Sequence, residues 1–474
     1  MTEIAPGASA QRPAHAATSE AAIGEAGAEQ LSIAVIWAYS APRVGFGIMG
    51  LLFGTYLMKF STDVLLIAPA AMGTLIAASR LWDAVSDPMV GHLSDRTNSR
   101  IGRRRVWMFA AAIPMGLGLI AIWSPPYGLS GVWILVWMGF ALLLYETAST
   151  AFFVPHGAMG VELTPNYHER TRLFGWSHMI GALGSLLGLL SLQLMNMTDD
   201  KRTFAVGLSI VAGTFVALIV LWTTRLLPER ADYQGRGGQR AVKSFTDVFR
   251  NPHSRLLLIV FAIETFGAAS VGMLVPYLVE YVIPMREMLV PLLITYTVPQ
   301  FALTPMWIRL SRRFGKKRLW LFSMLLSAAV FSGYFFITEP GPAIWILSFL
   351  LGFAGGCGAV VAPSIKADII DYDEYTTGER KEGAYLAVWN LVRKSAASVT
   401  ALVTGWVLQM ADFQPNVEQT EEVKLAIRAI FSLMPASCYV IGGLLFTRFA
   451  FNEPEHAEIR AELEARARTE VAAD

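Results

Sequence analysis

The chain has 474 residues, 54% of them hydrophobic and 16% charged, with a mean hydropathy of +0.47. A soluble globular protein carries about 25% charged residues, so an ordinary soluble enzyme is excluded. A net charge of +1 leaves no electrostatic footprint for nucleic acid. Cys357 and Cys438, the two cysteines, each sit in an apolar stretch, which points away from a disulfide framework and from a thiolate metal site.

Residues 1–30 are rich in Ala, Gly and Glu. They lack a basic start followed by an apolar core, so a disordered cytoplasmic tail is expected rather than a cleaved signal peptide. Beyond them, helix-length apolar stretches alternate with short polar loops. About 20 apolar residues cross a bilayer as a helix. Twelve such spans are predicted, at 32–60, 65–93, 105–124, 131–162, 173–195, 204–227, 255–283, 288–310, 319–337, 342–366, 383–411 and 426–450. The expected fold is therefore an all-α membrane protein of two six-helix bundles, 31–227 and 255–451. A cytoplasmic linker joins them at 228–254, and a charged, helix-prone cytoplasmic tail follows at 452–474.

The second span carries acids where hydrocarbon is expected: Arg80-Leu-Trp-Asp83-Ala-Val-Ser-Asp87-Pro88. Charge at that depth costs from about 2.5 to over 10 kcal/mol per group and marks function. Arg80, Asp83 and Asp87 share one helix face by their spacing. From the 1.5 Å helical rise Asp83 lies about 15 Å deep, and Lys394 in span eleven about 16 Å deep. Two close carboxylates cannot both stay charged in a dry site, so the pair either takes a proton or shares a cation. Lys394, and Arg80 on the face of the aspartates, are then expected as internal counter-charges, Lys394 being the one that cation binding displaces.

The loops set the orientation. Arg96, Arg100, Arg103, Arg104 and Arg105 follow span two; Arg230, Arg236, Arg240, Lys243 and Arg250 follow span six. Arg312, Arg313, Lys316, Lys317 and Arg318 follow span eight, whereas 124–130 and 338–342 have no basic residue. Positive loops stay inside, so both termini are expected in the cytoplasm. The loops also repeat: the segment from Leu93 to Phe109 resembles that from Leu310 to Phe322 after a short insertion. Two pseudo-symmetric halves are the simplest source, with a binding site between them near the midplane.

Several residues carry a resemblance. Gly91-x-Leu-Ser-Asp95-Arg96 with its Gly-Arg-Arg cluster looks like the loop motif of the major facilitator superfamily. The segment 80–88, and Ala367-Asp-Ile-Ile-Asp-Tyr-Asp-Glu-Tyr375 followed by 377–383 and Lys394, resemble the glycoside–pentoside–hexuronide:cation symporters, the melibiose permease family. The similarity runs from about Arg43 to Asn416. It implies cation-binding carboxylates at Asp83 and Asp87, a lysine important for state changes at Lys394, and an inner-gate pair of Asp368 and Arg380. Where that family holds sugar or cation with an acid on helix one, an acid on helix four and an arginine on helix five, this chain has Leu52, Phe153 and His178. Fewer oxygen ligands favour H+ over Na+ as coupling ion. Asp83 and Asp87 are metal ligands only under Na+ coupling.

Further substrate-site candidates are Tyr385, Trp389 and Asn390 on span eleven, with Phe153, His178 and Glu264. Glu146 reads as nearer the outer face and less telling, and His156 as a packing histidine. The expected activity is symport of a glycoside or similar sugar-like solute with H+ or Na+, in a bacterial-type inner membrane, as a monomer without cofactor or nucleic acid. A carrier of an amphiphile such as a lysolipid, or of another organic solute, is the alternative. No nucleophile–base pair or metal-ligand cluster supports an enzyme.

Overall fold

The computed structural model describes residues 30–164, 166–229, 248–379, 381–451 and 453–473. The expected tail at 1–29, the linker residues 230–247 and Arg380 lie outside the described residues. Span one is broken into α1 (Ile33–Ser40), α2 (Pro42–Thr55) and α3 (Leu57–Asp63). Spans two to six are α4 (Pro69–Arg96), α5 (Arg105–Trp123), α6 (Val132–Glu162), α7 (Tyr167–Met197) and α8 (Lys201–Leu226). The second half opens with α9 (Pro252–Tyr277), which ends in a π turn at Leu278–Val282. Span eight is α10 (Leu289–Ala302) and α11 (Thr304–Phe314), bent by 49° at their junction. Then come α12 (Lys316–Tyr334), α13 (Pro342–Thr377) and α14 (Glu382–Met410). Span twelve is α15 (Glu421–Arg428), a π turn and α16 (Met434–Thr447), and α17 (Glu453–Ala473) follows.

Among the described residues eight helices are long and apolar enough to cross a membrane, or nine if α10 and α11 count as one span. The helices α4, α12 and α14 fall outside that set; α4 carries Arg80, Asp83 and Asp87, and α14 carries Arg393 and Lys394. Polar residues of this kind face a bundle interior rather than lipid.

Packing repeats between the halves. In the first, α2 packs on α7, α4 and α5 on α6, and α5 on α8; in the second, α9 packs on α14, α10 and α12 on α13, and α12 on α16. Each contact has its counterpart six spans later, as the repeated basic loops suggest. Without a hydrophobic drive between helices in lipid, close approach through small residues supplies the contact energy. Gly116 of α5 shows this: a Cβ there would lie 2.5 Å from the carbonyl oxygen of Gly213 on α8.

Two features depart from the sequence reading. Span ten was expected to end at 366, but α13 runs on to Thr377, about 16 Å further by helical rise. The acidic segment 367–375 is thus a rigid extension of a transmembrane helix. The tail helix α17 also docks onto it: Ile459 is buried and His456 Nε2 lies 3.1 Å from Asp371 Oδ2.

Candidate functional site

Between the halves α4 packs along α14, and their side chains build the site. Lys394 of α14 reaches across with its ammonium 2.7 Å from Asp83 Oδ2 and 2.5 Å from Asp87 Oδ2. One half thus supplies two carboxylates and the other the cation that ties them. Thr150 of α6 donates its hydroxyl to Asp83 Oδ1 at 2.9 Å and lies 3.2 Å from Asp87 Oδ1. Ser86 Oγ sits 3.2 Å from the same hydroxyl. Pro88 lies inside α4. It has no N–H to give the carbonyl of Ala84, so the usual helical bond to that oxygen, on the turn between the two acids, is missing.

These groups line a cavity of about 440 Å³. Phe46, Phe53, Tyr145 and Phe153 give it an aromatic wall; Arg80, Glu146, Asn390 and Arg393 add polar groups. Phe46 and Phe153 have ring centroids 4.0 Å apart. The cavity is therefore amphipathic, with fixed charges and π faces in one lining.

The structure redistributes the remaining candidates. Arg80 is not a counter-charge for the aspartates: its Nη1 lies 3.5 Å from Glu146 Oε1. Glu146, read as peripheral, is buried and lines the cavity. Tyr385 and Trp389 do not line it. Tyr385 is 1% exposed and accepts from Asn251 Nδ2 at 3.0 Å, while Trp389 packs edge-on against Phe261 inside the second half. Their i, i+4 spacing gave them a common face, but that face meets α9. Glu264 also lies within the second half, beside Gly358 and Trp320, away from the cavity. His178 is on the exposed side of α7 and Leu52 is buried core. His156 is a packing residue, stacked on Tyr39 and Phe152 with Nε2 3.0 Å from the Tyr39 carbonyl. Asp368 is held by Lys316 at 2.6 Å, with His456 3.6 Å away. Its expected partner Arg380 lies outside the described residues. Both free cysteines are buried.

A second charged cluster was missed. At the face opposite the basic loops, Lys59 is 2% exposed, ion-paired to Asp63 one turn on, and 2.9 Å from Glu280 Oε2 of the other half. Tyr281 donates its hydroxyl to Asp63 at 2.7 Å, and Thr62 Oγ1 lies 2.8 Å from the Tyr277 hydroxyl. Asn416, at φ 60°, donates Nδ2 to the Asp63 carbonyl at 2.7 Å. Beside this network α4 and α14 meet at a glycine seam. A Cβ on Gly73 would lie 2.5 Å from the Ala401 carbonyl oxygen and 3.0 Å from Gly405 Cα. The halves are thus sealed on the base-poor face. On the basic face the described ion pairs, such as Arg103–Glu162 and Lys316–Asp368, each stay within one half.

Glu280→Gln removes one charge from that seal, and a hydrogen bond to a charged group contributes about 1.5–3 kcal/mol. The expected result is a roughly tenfold rise in labelling of a cysteine at Ser149, in the cavity, by an impermeant maleimide applied from the base-poor face. Unchanged labelling would remove the network from the closure of that face.

The profile of the MFS/sugar transport protein family matches residues 38–453. The uncharacterized symporter YjmB of Bacillus subtilis (strain 168) is 26% identical, covering 92% of this chain and 96% of its own. The putative glycoside/cation symporter YagG of Escherichia coli (strain K12) is 25% identical, covering 81% and 84%. Among solved structures a D-xylose–proton symporter superposes with a TM-score of 0.64 at 14% identity, over 88% of this chain and 98% of that one. These matches span the helices that form both halves and the cavity between them, and the chain belongs to the MFS/sugar transport family: it is a multi-pass membrane transporter, not an enzyme.

Proposed function

We propose that the chain carries a sugar-like solute together with a cation, H+ in preference to Na+, by alternating access. The observation that supports it most is the placement of Asp83 and Asp87 on one half against Lys394 of the other. A cation bound by the aspartates competes with Lys394 for the same oxygens. Its arrival loosens the tie between α4 and α14, and the halves can rock. Coupling is then a difference in affinity between states for cation and solute.

Proton coupling is favoured by the ligand set. A proton needs one carboxylate, whereas a hard metal cation needs a shell of oxygens. Helix four contributes Thr150 and an aromatic ring at Phe153 where the symporter family has a further acid. The aromatic wall suits the apolar faces of sugar rings. An amphiphile remains the second reading, because a separate cavity of about 310 Å³ between the halves has an apolar lining that includes Leu51, Leu189, Val271 and Leu293.

By the positive-inside rule the basic face is cytoplasmic. The sealed base-poor face is then external, so the conformation is inward-facing, in an inner membrane with both termini inside. Cysteines introduced at Asn98 and Gly128, both exposed, separate the two orientations. In intact cells Gly128→Cys should react with an impermeant reagent and Asn98→Cys should not; the reverse pattern would invert the orientation. The activity itself is tested in proteoliposomes with a panel of sugars, glycosides, sugar acids and lysolipids under imposed H+ or Na+ gradients. Accumulation of a sugar-type compound supports the reading. Accumulation of lysolipids alone would replace it with the second one.

A further inference from the structure

Positive charge gathers at one corner of the basic face, where α11 ends, α12 begins and α16 ends. Arg312, Arg313, Lys316, Lys317, Arg318 and Arg448 all lie there. Lys316 pairs with Asp368. Among the described residues none of the other five has a carboxylate within ion-pair distance. Lys317 Nζ donates instead to the carbonyl oxygens of Thr447, at 3.1 Å, and of Phe449. Those bonds fix the start of α12 against the end of α16. A cavity of about 400 Å³ lies between this corner and the tail, and its lining combines Lys316, Lys317 and Arg318 with Phe314, Phe449 and Phe451.

Bases are common on the cytoplasmic face of membrane proteins, but this corner differs in where it leads. Along α12, Arg318, Phe322, Leu325 and Ala329 are exposed at helical spacing. Arg318 therefore closes an apolar stripe that faces lipid. On α16, Val440, Ile441 and Leu444 are exposed in the same way, and Arg448 follows them one turn on. The two helices pack on each other, and both stripes end at the corner that Lys317 ties together.

We propose that this corner binds the headgroup of an anionic phospholipid, phosphatidylglycerol or cardiolipin, whose acyl chains lie along the outer face of α12 and α16. A basic pocket at the ends of transmembrane helices recognises such headgroups. A guanidinium presents two N–H donors that match two phosphate oxygens, and Arg318 and Arg448 each offer one. Lys317 adds a point charge. A zwitterionic headgroup brings its own ammonium towards the same bases and cancels the phosphate charge. A soluble phosphate meets the same charges but gains none of the apolar contact with Phe322, Leu325 and Leu444. Phe449, Phe451 and His456 line the same cavity, so the bound lipid also braces the chain that leads into α17.

Native mass spectrometry of the full chain tests this, with phosphatidylglycerol, cardiolipin and phosphatidylethanolamine of matched acyl chains as probes. Each engaged arginine should favour the anionic lipid about fivefold. Phosphatidylglycerol should therefore bind roughly 30-fold more tightly than phosphatidylethanolamine. Arg318→Gln and Arg448→Gln should each weaken phosphatidylglycerol binding about fivefold and leave phosphatidylethanolamine unaffected. Arg96→Gln and Arg100→Gln remove the same charge from an exposed loop of the first half and should change neither. A photoactivatable phosphatidylglycerol should cross-link within 316–325 and 440–451, and less so in Arg318→Gln. Equal binding of the anionic and zwitterionic lipids overturns the proposal. So does an equal loss in the first-half variants, which would make the attraction nonspecific. Binding of sn-glycerol 3-phosphate as tight as that of phosphatidylglycerol, and lost in Arg318→Gln, would make the ligand a soluble phosphate ester and also overturn it.

Discussion

Replacing Asp83 with Asn should abolish accumulation of solute against its gradient while leaving downhill exchange measurable. Asp83 is 7% exposed and shares Lys394 and Thr150 with Asp87. An amide of the same shape keeps the packing but cannot hold a proton or a cation by charge. The accumulation ratio in proteoliposomes under a fixed gradient should fall to about one. Removing a charge that a buried partner depends on costs about 3–5 kcal/mol, roughly 150- to 5,000-fold in a binding constant, so residual coupling through Asp87 alone should be small. Asp87→Asn should behave in the same way but more mildly, because the Asp87 side chain is 32% exposed and water replaces part of its interaction. Parent-like accumulation in both variants would make the acids structural.

Replacing Lys394 with Ala should uncouple the change of state from the cation. In the parent, Lys394 links α14 to two carboxylates of α4, and loading those carboxylates breaks the link. The accessibility of a cysteine at Ser149 from either face should therefore respond to pH or Na+ in the parent. Without Lys394 nothing ties the two carboxylates of α4 to α14, so a cation bound to them no longer bears on the contact between the halves. Labelling of the Ser149 cysteine should then become insensitive to pH and Na+. Its distribution between the faces should shift about tenfold, the smaller end for loss of a charged hydrogen bond worth about 1.5–3 kcal/mol, since the lysine is 18% exposed. A response to pH as large as the parent's would show that the lysine is not the element that cation binding displaces.

Much of this site was visible in the sequence because charge is rare in apolar stretches. The same rule that picks out Asp83, Asp87 and Lys394 applies to Lys59 and Glu280, which also fall inside predicted spans. They were passed over because each lies near a span end, where a charged side chain can reach water. Their pairing across the halves depends on the tertiary fold and on the π turn that carries Glu280 and Tyr281. Thr150 had no signal, since a threonine in a transmembrane helix usually bonds its own backbone. The aromatic pair Tyr385 and Trp389 was misplaced for a different reason. Helical spacing gives a shared face but not the neighbour it meets, and that neighbour is α9 of the same half. Glu146 was undervalued because depth along α6 was judged without its rotation. The twelve spans and the two repeated halves follow from length, hydropathy and loop charge. The continuation of α13 to Thr377 escapes hydropathy because a helix can outrun the bilayer while its sequence turns polar.

The central claim is that Asp83 and Asp87 carry the driving cation while the solute crosses. It is tested most directly by the cation flux that downhill solute movement itself causes. In lightly buffered proteoliposomes, adding a transported solute outside should raise the external pH in step with its uptake, or deplete external Na+ if that is the coupling ion. In Asp83→Asn the solute should still equilibrate while neither external pH nor Na+ changes. Solute-driven cation uptake of parent size in Asp83→Asn would contradict the account.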